Sequence, residues 1–330
     1  MAGTATPNMT VKSVHQSVPL TQLSVGYHPT GLVAESVFPV FKVVHENDNY
    51  YKWDKGQAFR LDRTDGFGSM RADKTRPRML NFGATEDTYS AEEFALETAI
   101  SDRELANQDS ALNLQVSKVR RVQDLILLDQ ELRVANTCLT TGNNSGSVTN
   151  SGTTQWNNAS FASLGTGQHS AIKAQFETGK ESIRTATGGL LPNVVVIPRE
   201  VWAVMVNDAG LADLIKYNFS PAQDLLASDF LGGTLWGMKL VVPTAMYTSA
   251  VEGEAFSATS IWGKNVWMGY VNPSPGLDAL TYGTIFRARE WQVKVYRDEF
   301  TDSTIYRPSI VQAEKLVTKD CGYVIKAAIA

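Results

Sequence analysis

The chain has 330 residues, 43% of them apolar, enough for one elaborated domain or two modest ones around a sizeable core. Thirty basic against thirty-four acidic side chains give a net charge of −4, which excludes a global electrostatic drive toward nucleic acid or an anionic membrane and makes any basic surface local. Two cysteines, Cys138 and Cys321, cannot furnish a four-ligand zinc site or a disulfide framework, and read as buried thiols of a reducing compartment.

The N-terminal "MAGTATPNMTVKSVHQSVPL" lacks a basic start followed by an apolar segment, and no apolar run approaches the roughly 20 residues of a membrane span. A soluble chain without a signal peptide or membrane partner is expected. Residues 1–35 are polar and aperiodic, as in an extended arm that orders only against something else. "LVAESVFPVFKVVHENDNYYKW" then places β-branched and aromatic residues around Pro39, which predicts strands. Between "NYYKWDKGQAFRL" and the rest lies "RLDRTDGFGSMRADKTRPRM", with six basic residues (Arg60, Arg63, Arg71, Lys74, Arg76, Arg78) and three acidic ones (Asp62, Asp65, Asp73). Few large apolar side chains and a Gly-punctuated centre predict a long two-stranded ribbon, which cannot be stable alone.

"SALNLQVSKVRRVQDLILLDQELRVANTCL" has no Gly or Pro, and Val119, Val122 and Ile126 fall at i, i+3 and i+7, which predicts a long amphipathic helix. "TTGNNSGSVTNSGTTQWNNAS" is a polar loop by composition; "HSAIKAQFETGKESIRTAT" is a second helix with Ile172, Phe176 and Ile183 on one face. Val194 to Ile197 reads as a buried strand stopped by Pro198, followed by a helix bearing Val201, Val204 and Met205. Strands recur at "MKLVVPTAM", "NVWMGYV", "TIFRAREWQVKVYRDEF", "TIYRPSIVQAEKLV" and "GYVIKAAIA". Short αβ units followed by antiparallel strands give an α+β class.

No set of residues converges on a reaction. The four histidines (His15, His28, His45, His169) form no HExxH pattern, "GTGQHS" at Gly165 lacks the spacing and GK[ST] ending of a phosphate loop, and "DRTDGFGS" lacks the ligand pattern of a calcium loop. Glu92, Glu93, Glu97 and Glu104 read as a solvated helix face, and tryptophans such as Trp202, Trp236, Trp262 and Trp267 as core. The expectation is a structural protein, not an enzyme, with no cofactor and no metal.

The order of segments is more specific than any motif. An arm leading through "ESVFPVFKV" into a charged ribbon, then "TYSAEEFALETAISDRELANQ", a long helix ending "LDQELRVANTCL", "GLLPNVVVIPREVW", "FLGGTLWGMKLVVPTAM", "IWGKNVWMGYVNPSPG" and a β-rich end resembles the major capsid proteins of tailed bacteriophages, of the Hong Kong 97-like fold, over nearly the whole chain. The resemblance implies an N-terminal arm over 1–45, an extended β-hairpin loop over 46–88, a peripheral domain from 89–190 and 284–318 with a spine helix near 110–138, and an axial domain from 191–283 and 319–330. It implies self-assembly into hexamers and pentamers of an icosahedral head enclosing phage double-stranded DNA, in the virion, after assembly in the host cytoplasm. The partners it implies are other copies, a portal and, with no helical pro-segment before the arm, a separate scaffolding protein, with room for a decoration protein and only non-specific proximity to DNA. The ribbon residues Arg60, Asp62, Arg63, Asp65, Arg71, Asp73, Lys74, Arg76 and Arg78 are then inter-subunit contacts, because alternating signs suit a complementary neighbour. Lys52, Lys55 and Lys74 lie in or beside the loop, but no partner asparagine or catalytic glutamate matches the family's crosslink, which is not carried over. Two other functions stand beside this one: an encapsulin-type compartment shell and a nucleic-acid-binding module using the ribbon.

Overall fold

The computed structural model describes residues 29–53, 55–59, 69–71, 73–77, 79, 83–107, 113–158, 161, 168–207, 233–251, 253–255, 257–274 and 279–330. In chain order, helix α1 (Ala34–Val37) leads to strands β1 (Val40–Lys42) and β2 (Asn47–Trp53), helix α2 (Lys55–Ala58), then β3 (Ala84–Ser90), β4 (Glu92–Ala95) and β5 (Thr98–Ser101). Helices α3 (Asp102–Ala106) and α4 (Leu114–Leu139) follow, then β6 (Gly146–Thr149), α5 (Gln168–Thr187), β7 (Val194–Val196) and α6 (Arg199–Val206). The strands described after α6 are β8 (Gly233–Leu235), β9 (Met238–Val241), β10 (Met246–Tyr247), β11 (Thr259–Ser260), β12 (Val266–Gly269), β13 (Gly283–Asp298), β14 (Ser303–Leu316) and β15 (Gly322–Lys326), with a short 3-10 turn at Lys319–Cys321 before the last.

Two compact units result. The larger comprises residues 30–93, 128–290 and 311–330, and the smaller includes 94–127 and 291–310. The larger is built on a six-stranded mixed sheet in the order β6-β15-β12-β7-β9-β8. Its strands alternate between two cores. Val195, Met268, Val266, Leu240, Tyr323 and Ile325 join the side chains of α5 and α6 (Phe176, Ile183, Trp202, Met205). Val194, Val196, Trp267, Val241 and Val324 join Val37 and Phe38 beside α1, Val134, Ala135 and Cys138 of α4, and Tyr282. A sheet buried on both faces needs apolar residues at consecutive positions, which is why "VVVI" and "VWMG" read as continuous runs rather than alternations. The buried strand at Val194 and the helix after Pro198 stand where the sequence predicts them.

In the smaller unit β5 pairs antiparallel with the start of β14, from Ser101 opposite Ser303 to Thr98 opposite Tyr306. Ser101 begins α3 with a capping box, accepting from the Glu104 N–H while the Glu104 carboxylate accepts from Ser101 N–H. Val122, Ile126 and Ile310 form its small core with Phe94 and Trp291. Bidentate Arg297 to Asp102 and Arg307 to Glu97 tie its surface, with the Tyr296 hydroxyl donating to Glu97.

The long helix is present, 26 residues and about 39 Å at 1.5 Å per residue. Its described first turn begins at Leu114, where the Asn113 side-chain oxygen accepts from Val116 N–H as a cap. Two local expectations change. Glu92 and Glu93 lie on β4, a member of the sheet containing β13 and β14, so strand pairing overrides the helix propensity of "AEEFALE". The "polar loop" after the long helix supplies β6, parallel to β15, and buries Trp156 completely, with its indole N–H on Gln175.

Candidate functional site: the roots of the ribbon and the arm

The charged ribbon begins as β2 paired antiparallel with β3, Asn47 opposite Ser90 through Trp53 opposite Ala84. Among the described residues this pair joins no other sheet. Its root is fixed by aromatic packing on Phe286 of β13: Tyr89 stacks at 4.4 Å with 10° between the rings, Tyr50 lies at 5.6 Å and Phe41 meets the ring edge-on at 6.2 Å. The Tyr89 hydroxyl also donates to the His45 carbonyl at 3.1 Å.

Asp87 is the polar counterpart. It accepts from Lys52 Nζ at 2.5 Å, the Tyr50 hydroxyl at 2.8 Å and Lys315 Nζ of β14 at 3.2 Å. Lys52, first, and then Tyr50, the Thr88 N–H and Lys315 hold its carboxyl well below the usual carboxylate range, against a smaller opposing effect of burial. Burial, reinforced by Asp87, raises the Tyr50 phenol above its ordinary range. Two lysines thus converge on one carboxylate, one from the ribbon and one from the body of the same unit. On β2 itself Tyr51 and Trp53 remain exposed.

The predicted contact residues divide. Arg71, Asp73, Lys74 and Arg76 are exposed, Lys74 with φ of 60°. Arg60, Asp62, Arg63, Asp65 and Arg78 lie outside the described residues, as does most of the arm. The last part of the 1–45 span is core: Val33, Ala34, Val37 and Phe38 are buried.

The residue that fixes that segment was not visible as functional in the sequence. Glu131, on α4, is fully buried; its Oε2 accepts from Val33 N–H at 2.8 Å and Ala34 N–H at 2.7 Å, and its Oε1 from Trp262 Nε1 at 2.7 Å. Val33 has no side-chain oxygen to cap α1, so a carboxylate 98 residues away does it. Burial raises the Glu131 carboxyl above its ordinary range, and the three donors only partly offset that. The available signal was positional: Gln130 and Glu131 are polar where the stripe through Val122, Ile126, Val134 and Cys138 calls for apolar residues.

A wider network braces the same unit. Arg133 makes a two-bond contact with Glu314 at 3.1 and 2.9 Å, Gln312 donates to Glu314 at 2.9 Å, and Arg287 joins Gln312 at 3.2 Å and Glu35 at 2.8 Å. At the end of α4, buried Asn144 donates to the Cys138 and Thr140 carbonyls and accepts from Trp267 Nε1, linking the helix terminus to β12. Chemically these sites hold positions. Among the described residues no group of three or more His, Cys, Asp and Glu side chains is placed to hold a metal ion, and no helix is long and apolar enough to cross a membrane.

No family model matches the chain. It is 28% identical over 141 residues to the major capsid protein of Pseudomonas phage JBD67, a match spanning 42% of this chain and 43% of that one. The chain therefore aligns with less than half the length of this curated relative. A phage-related protein from Bordetella bronchiseptica superposes with a TM-score of 0.62 at 24% identity, over 92% of this chain and 94% of that one. The capsid structure of cyanophage P-SCSP1u gives a TM-score of 0.62 at 10% identity, over 97% and 94%. At such identities the likeness establishes architecture, and it runs from one end of the chain to the other. The chain has the Hong Kong 97-like α+β fold found in tailed-phage capsid proteins.

Proposed function

We propose that many copies of this chain, grouped as hexamers and pentamers, close into the icosahedral head that encloses phage double-stranded DNA. The observation that carries this is a capsid-protein fold matched along 97% of the chain, supported by the sequence relationship to a phage major capsid protein. The role is structural. Shell strength is the sum of many modest repeated contacts rather than one strong site. The exposed alternation Arg71, Asp73, Lys74, Arg76 supports contact with a complementary neighbour, and the ribbon's firm root supports a lever that keeps its register.

On this reading the segment 46–88 crosses to an adjacent subunit, 191–283 and 319–330 surround the symmetry axis, and 89–190 with 284–318 lie at the periphery. A separate scaffolding protein and a portal act during assembly in the host cytoplasm, and the virion is the final location. Nuclease treatment of purified particles tests the cargo: DNA protected inside the shell is expected. Particles filled with an enzyme and free of DNA, or a lone subunit with saturable, salt-sensitive DNA affinity and no particles, would overturn it.

A further inference from the structure

Just past β2 the ribbon rests against its own subunit in a specific way. Directly after β2, Lys55 at the start of α2 places Nζ 2.5 Å from the Ala186 carbonyl and 2.7 Å from Asp320 Oδ2. Ala186 is in the last turn of α5, whose terminal carbonyls carry the negative end of the helix dipole and attract an ammonium group. Asp320, in the turn before β15, adds a full negative charge. Four residues after Lys55, Phe59 covers Gly188: a β-carbon on that glycine would sit 2.5 Å from the Phe59 ring. Gly188 also has φ of +79°, so the position excludes side chains by backbone conformation and by contact. The socket is thus two carbonyl-type acceptors and one bare backbone patch; the plug is a lysine and a phenyl ring on one face of a single helical turn.

The plug is held loosely. The Lys55 side chain keeps 53% of its surface exposed and Phe59 keeps 62%. Exposed ion pairs contribute about 0–1 kcal/mol, so this contact opens readily while the Phe286 and Asp87 root stays closed. Every copy carries the same plug and the same socket, and exchanging one for its equivalent creates no new chemistry and loses none. Resting on the shell reading above, we infer that the socket of Ala186, Gly188 and Asp320 is a docking surface for the Lys55–Phe59 segment of a second copy. The lone subunit stores its plug in its own socket and releases it when a neighbour's plug arrives. Intrachain docking then withholds the ribbon from premature contacts, and the switch between the two states is set by effective concentration.

Carbodiimide coupling, which links a carboxylate to an adjacent amine, tests this on the full chain before and after assembly. The Lys55–Asp320 linked peptide is expected in monomer-mass bands from free subunits and in dimer-mass and larger bands from particles. Lys55→Asp and Asp320→Lys should each lower particle yield by about tenfold, roughly 1.4 kcal/mol, and an equimolar mixture of the two variants should recover most of it, since opposite charges then meet only between chains. Particles whose linked peptide occurs solely within single chains, or a mixture no better than either variant, overturn the exchange and leave the shell reading standing. A wild-type chain that never forms particles overturns the shell reading and takes the exchange with it.

Discussion

Individual residues hold the two roots, and their chemistry gives measurable signs. Glu131→Ala leaves three buried N–H groups without their acceptor and should cost about 3 kcal/mol in denaturant unfolding. Because burial raises the Glu131 carboxyl, the native state keeps a proton that the unfolded state has already released. Stability therefore falls as pH rises from the ordinary carboxylate value through the raised one, and Glu131→Gln should flatten that slope. Its neighbour Gln130 is 1% exposed, and neither its side-chain oxygen nor its nitrogen has a partner among the described residues. Gln130→Met keeps the volume and removes two unsatisfied groups, and a gain of about 1 kcal/mol is the expected outcome of the same titration. Glu131 escaped sequence reasoning because it acquires meaning only from Val33, Ala34 and Trp262, which are distant in the chain, and Gln130 because only the fold buries it.

Elements were legible in proportion to how local their causes are. Val122 and Ile126 announced the long helix because periodicity is a property of the helix itself, and the run at Val194 announced its strand because both faces of the sheet are buried. The cap at its described start is likewise a local device, the Asn113 side chain of the long helix accepting from Val116 N–H. Strands β4 and β6 were hidden because pairing to β14 and β15, not their own composition, makes them strands. For the ribbon element, Phe286→Ala removes the ring on which Tyr89 and Tyr50 pack and should cost about 3–5 kcal/mol, seen as proteolytic sensitivity around residues 47–90. The Asp87 hub has the opposite pH sign to Glu131. Its carboxyl lies below the unfolded value, so its stabilisation is complete at neutral pH and disappears as pH falls through and below the ordinary carboxylate range. Ribbon amide exchange should accelerate there, and Asp87→Asn should exchange fast at every pH.

At the scale of the molecule, fold and contact surface separate cleanly. The ordered succession of segments carried the resemblance, and the fold it implied is found along nearly the whole chain. The ribbon's partner was not legible, since an interface between copies leaves no periodic mark in one copy; alternating charge is its only trace. Charge reversal at Arg60, Arg63 and Arg71 together should leave thermal unfolding of the subunit unchanged and abolish particles in size-exclusion chromatography, and wild-type particle yield would count against the ribbon as a contact. The most direct test of the central claim is electron cryomicroscopy of the purified wild-type chain under assembly conditions. Closed icosahedral shells of hexamers and pentamers, in which density for residues 46–88 crosses onto an adjacent subunit, are the expected result; a persistent monomer, with no particle containing the chain, would rule the shell out.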